Sequence, residues 1–93
     1  MSESSEIKDA MLTQEITNLR TKLAAAQREF DNLDILVSGG VIRIRQLVDP
    51  YESEVTKLDV DGALEAMTQL KINVHRMREL LDTINRIKKA LGQ

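Results

Sequence analysis

The stretch from Leu12 to Val37, LTQEITNLRTKLAAAQREFDNLDILV, decides the fold. Its apolar residues are Leu12, Ile16, Leu19, Leu23, Ala26, Phe30, Leu33 and Val37, and the steps between them alternate four and three. That spacing lays one apolar stripe along a helix. In heptad terms Ile16, Leu23, Phe30 and Val37 fall at a, and Leu12, Leu19, Ala26 and Leu33 at d. A strand needs a period of two, which is absent. Working outward, the spacing predicts a helix over about residues 5–37. Ser4 or Ser5 would cap it, because a serine hydroxyl accepts from an unpaired backbone N–H. Glu6 and Asp9 suit the positive end of the helix dipole. Gly39 and Gly40 are expected to end the helix, since glycine takes the left-handed conformation of a C-terminal cap.

A second helix is predicted over about residues 61–91. Val60, Met67, Val74 and Leu81 fall at a, and Ala63, Leu70, Met77, Ile84 and Leu91 at d. Lys88 interrupts the a series. Leu80 and Ile87 fall at g and widen the stripe, which suggests packing against more than one helix. Asp59 or Asp61 is the expected N-cap. Arg86, Lys88 and Lys89 complement the C-terminal dipole, and Gly92 follows as a stop.

Residues 38–60 form the connector, with a break at Pro50. Asp49-Pro50-Tyr51-Glu52 reads as a capping box. Val41, Ile44, Leu47 and Val48 share one helical face, and so do Tyr51, Val55 and Leu58, which gives two short helices. The alternative is a β-hairpin, because Val41-Ile42-Arg43-Ile44-Arg45 partly alternates. Strands there would make the chain resemble a helix–hairpin–helix chaperone subunit in outline.

The expected fold is therefore all-α. One domain over residues 1–93 holds two long helices in an antiparallel hairpin. Charge favours that pairing, because residues 1–61 carry a net −5 and residues 62–93 a net +3. Folding back would bring Glu3, Glu6 and Asp9 toward Arg86, Lys88 and Lys89. At about 1.5 Å per residue the helices would be about 50 and 46 Å long, a near match. A lone hairpin leaves about half of each stripe bare, and a chain of 93 residues has little core to spare. Self-association is expected, most simply a dimer forming a four-helix bundle. The other option is a partner protein that supplies the missing helices.

Composition excludes several chemistries. The sequence has no Cys and one His, so disulfide scaffolds, Cys/His zinc sites and thiol catalysis are out. His75 has Glu79 four residues on, but two ligands do not hold zinc, and a solvated surface pair is the expectation. Asp59-Val60-Asp61-Gly62 imitates the middle of a calcium loop. However, Lys57 and Thr68 stand where that loop needs carboxylates. Ser38-Gly39-Gly40 lacks the spacing of a phosphate loop, and Arg43 and Arg45 beside it read as a solvated basic face. The acidic residues are dispersed over exposed positions rather than paired for acid–base work. The basic groups His75-Arg76-Arg78 and Arg86-Lys88-Lys89 could meet phosphate. A net charge of −2 and the lack of interleaved aromatics argue against nucleic acid as partner.

No apolar run reaches the roughly 18–20 residues that a bilayer requires. The acidic N-terminus lacks the features of a signal or transit peptide. A cytoplasmic, non-enzymatic interaction protein is the expectation, with no catalytic, cofactor-binding or metal-binding residue. Core packing and partner contact fall to Ile16, Leu19, Leu23, Phe30, Leu33, Leu70, Val74, Met77, Leu81 and Ile84.

Overall fold

A computed structural model describes the backbone of residues 2–51 and 54–93, with side chains from Asp9 onward in the first of these stretches. Helix α1 spans Ser2–Leu47 and helix α2 spans Val60–Ala90, joined by a turn and a single 3₁₀ turn at Val55–Lys57. The described residues include no strand. The two helices pack antiparallel as an all-α hairpin 80 Å long and about 16 Å across. The β-hairpin alternative for the connector is thereby set aside, and with it the outline of the helix–hairpin–helix chaperone subunit. No helix among the described residues is long and apolar enough to cross a membrane.

The first helix is longer than its heptads suggested. It begins ahead of Ser4 and Ser5 and runs straight through Gly39 and Gly40. Neither glycine has positive φ. The reason lies in the pattern beyond them. Gly40 falls at the next d position, Ile44 at a and Leu47 at d, so the four–three alternation continues. Two interior glycines cost about 1 kcal/mol each against alanine. Contact of the stripe with α2 outweighs that propensity. The helix stops before Asp49-Pro50, where proline disfavours helical backbone in the preceding residue and has no N–H to give. Of the expected capping box, Asp49 is present as a turn former: its Oδ1 accepts from the Tyr51 N–H at 2.9 Å. Glu52 lies outside the described residues. Among the described residues the connector holds no second short helix beyond the Val55–Lys57 turn.

Helix α2 keeps its expected ends to within two residues. Asp59 is the N-cap, and its Oδ1 accepts from the Gly62 N–H at 2.8 Å. At the other end Gly92 has φ 78°. Its N–H reaches the Lys89 carbonyl at 3.1 Å, and the Gln93 N–H reaches the Lys88 carbonyl at 2.8 Å. That pair of bonds is the glycine-closed C-terminus in which left-handed backbone satisfies two orphan carbonyls.

The core is Leu23 and Ala26 of α1 against Leu80, Ile84 and Ile87 of α2, with Leu19, Phe30, Leu33 and Leu91 packed around them. On α1 the seam is the a/d row as read from Leu19 onward, whereas Leu12 and Ile16 of that row stay exposed. On α2 it is not. Every d and g position from Ala63 on is buried or half-buried, namely Ala63, Ala66, Leu70, Asn73, Met77, Leu80, Ile84, Ile87 and Leu91, while Gly62, Val74, Thr83 and Lys88 are half-buried at the edges of the seam. The a row of Val60, Met67 and Leu81 stays exposed, with Val74 half-buried. An a/d seam would have driven Lys88 into the interface, where an unpaired charge is costly. Rotation to d/g leaves it at the edge.

The helices also differ in length more than expected. Forty-six residues against thirty-one is about 69 Å against 46 Å. Leu19 on α1 and Leu91 on α2 are the outermost residues packed against the core cluster, so the first turns of α1 project past the end of α2 as a single-helix arm. Asp9 therefore lies beyond Arg86, Lys88 and Lys89, and makes no ion pair with them. The side chains of Glu3 and Glu6 lie outside the described residues.

Candidate interaction surface

One ion pair bridges the two helices and marks their register. The Arg76 guanidinium meets Glu29 as a fork, Nε donating to Oε1 at 2.9 Å and Nη2 to Oε2 at 3.0 Å. Two parallel bonds between planar groups carry geometric specificity that a single lysine contact lacks. The hydrogen bond from Arg76, aided by its positive charge, holds the Glu29 carboxyl below the usual carboxylate range against the opposing effect of desolvation. They likewise hold the Arg76 proton more tightly. A second fixed point is Gly40, where a Cβ would stand 3.7 Å from Leu70 Cδ1.

This register gives the rod two unlike broad faces. The one with the fork is polar. It carries Lys22, Glu29, Asn32 and Arg43 from α1, and Glu65, Gln69, Arg76 and Glu79 from α2, with Leu36 and Ile72 among them. A shallow cleft of about 350 Å³ opens on this side where Gly40, Gly62 and Ala66 leave the seam thin. No buried side-chain nitrogen or oxygen lacks a partner among the described residues.

The opposite face is apolar. Val41 and Val48 of α1 and Val60, Leu64, Met67 and Leu81 of α2 lie along it, all exposed. Val60 and Leu64 leave 65% and 66% of their surface in water. Soluble monomers seldom leave so many large apolar side chains bare along one face, and here all but Leu81 lie toward the closed end of the hairpin. Asp31 and Asp34 border the patch on the α1 side, and Lys71 and Arg78 on the α2 side.

The residues expected to pack or to meet a partner therefore divide into two groups. Leu19, Leu23, Phe30, Leu33 and Ile84 belong to the core cluster, with Leu70, Met77 and Val74 half-buried beside the seam. Ile16 and Leu81 stand exposed, the first on the arm and the second on the apolar face. Sequence reasoning placed Val41 and Val48 on the packing face of a short connector helix and did not single out Leu64. Their signal was positional: Val41 and Val48 flank the continued a/d row of α1, and Leu64 is bared once the seam of α2 is rotated.

His75 Nε2 lies 3.6 Å from Glu79 Oε1, with both side chains well exposed. Ser38, Gly39 and Gly40 lie inside a helix, so their N–H groups are used within it and present no anion cradle. Among the described residues no three His, Asp or Glu side chains converge to hold a metal ion. The chain matches no protein-family profile, no curated protein and no solved structure.

Proposed function

We propose that this chain is a non-catalytic protein–protein interaction module, an adaptor, assembly chaperone or structural subunit that works by coiled-coil packing in the cytoplasm. The observation that carries this reading is the exposed apolar face of Val41, Val48, Val60, Leu64, Met67 and Leu81. Such a surface is costly in water and gains about 25 cal/mol per Å² when another helix covers it. A rigid rod that displays apolar side chains at helical spacing is suited to receive a partner helix along its length. The single-helix arm adds Met11, Leu12 and Ile16 as a second exposed apolar strip.

The test is to place aspartate on the face and follow fold and assembly separately. Leu64→Asp and Met67→Asp should keep the helical circular dichroism of the parent, because neither residue is in the seam. Both should release the chain from whatever assembly it forms, as read by sedimentation. If assemblies persist unchanged in both variants, the reading fails.

A further inference from the structure

Along the middle of the rod the apolar face is bordered by Asp31 and Asp34 on α1 and by Lys71 and Arg78 on α2, with Arg20 and Arg45 of α1 further out toward its two ends. Between the Glu29–Arg76 fork and the Gly40–Leu70 contact, Asp34 of α1 lies within about a turn of the height of Lys71 of α2, and Asp31 within a turn of Arg78. Val41 likewise lies within about a turn of Leu64, and Ala24 within a turn of Leu81. The described ion pairs do not include these charges, so they do not satisfy one another within the chain.

We propose that the occupant of this face is a second copy of the chain, docked face to face with the closed ends of both hairpins together. This deepens the interaction-module reading and rests on it. A two-fold axis parallel to the rods sets α1 of each copy against α2 of the other. An isologous contact requires a patch that complements itself, and this patch does. Asp34 then meets the partner's Lys71, Asp31 meets the partner's Arg78, and Val41 meets the partner's Leu64 at similar height. All four neighbouring helix pairs run antiparallel, which suits their dipoles and makes an ordinary four-helix bundle.

The reversed pairing, with closed ends apart, sets α2 against α2. It brings Lys71 and Arg78 toward their own copies, and like charges across an interface are unfavourable. Area supports the same occupant. The six exposed apolar residues carry roughly 500 Å² per copy, so the pair would bury at most about 1,000 Å² of apolar surface before its polar rim is added, which reaches the low end of specific interfaces.

The experiment is sedimentation equilibrium on the full chain at tens of micromolar, with two charge reversals. Asp34→Lys and Lys71→Asp each place two like-charged pairs in their own dimer. Each should weaken association about tenfold, as expected for rim charges. An equimolar mixture of the two variants restores opposite charge at both contacts and should recover dimer near the parent level. A parent chain that stays monomeric, or a mixture no better than its components, overturns the proposal.

A photo-reactive side chain introduced at position 64 in expressing cells separates this inference from the broader reading. An adduct of twice the 10.5 kDa chain mass supports the second copy. An adduct to a different protein overturns the second copy and leaves the interaction module standing. Absence of any adduct removes both.

Discussion

Replacing Gly39 and Gly40 with alanine should raise the stability of this protein, and the sign is decisive. Both glycines sit inside α1 without positive φ. A Cβ at Gly39 meets nothing within 4 Å, and one at Gly40 stands 3.7 Å from Leu70 Cδ1, an ordinary contact. Alanine is better than glycine in a helix interior by about 1 kcal/mol, so the double variant gains about 2 kcal/mol. For a domain of this size that is a rise in Tm of about 10 °C. If the glycines instead closed the helix in left-handed backbone, alanine would be strained there by about 1–2 kcal/mol and Tm would fall. Gly92, with φ 78°, is the internal control, because Gly92→Ala should destabilise. Thermal melts and urea titrations must be run at one protein concentration, since association shifts apparent stability. A Gly39→Ala/Gly40→Ala chain less stable than its parent would refute the continuous first helix.

Leu80 and Leu81 are adjacent yet differ in burial, 3% against 46% exposed. Leu80→Ala should cost about 2–5 kcal/mol and Leu81→Ala well under half of that in a dilute urea titration, with the opposite order sinking the rotated seam. Asp59→Ala should cost about 1 kcal/mol through loss of the N-cap. Gly62→Ala should be near neutral in the parent, because its Cβ collides with the Asp59 carboxylate, but should stabilise the Asp59→Ala background by about 1 kcal/mol. Equal effects of Gly62→Ala in both backgrounds would contradict the cap geometry. The Arg76 fork lowers the Glu29 carboxyl, so its contribution is present above the ordinary carboxylate value of about 4.3 and is lost as pH falls through the lowered one. Glu29→Gln should therefore reduce Tm at neutral pH, and the difference from the parent should vanish in strong acid. A difference constant with pH would show that the fork does not act on stability.

The order of alternating fours and threes settled the helical class, the hairpin and the ends of α2 from composition and spacing alone. Asp59 and Gly92 act where they do because capping is a local matter of a few backbone groups. The single imidazole and the dispersed acids were equally plain, since chemistry that needs convergent side chains leaves a mark in residue counts. What the chain read in isolation could not decide was which of three apolar rows on α2 would turn inward. Rows a, d and g are each greasy, and only the docking of α1, with Lys88 kept at the edge and Arg76 set against Glu29, selects d and g. The same tertiary contact carries α1 through two glycines whose local preference favours a stop. From it also follows the exposed face, because a row is bare only with respect to a partner already in place. Local preference is worth about 1 kcal/mol per residue, whereas a shared seam acts along the whole rod. At Gly39, Gly40 and the a row of α2 the seam prevails.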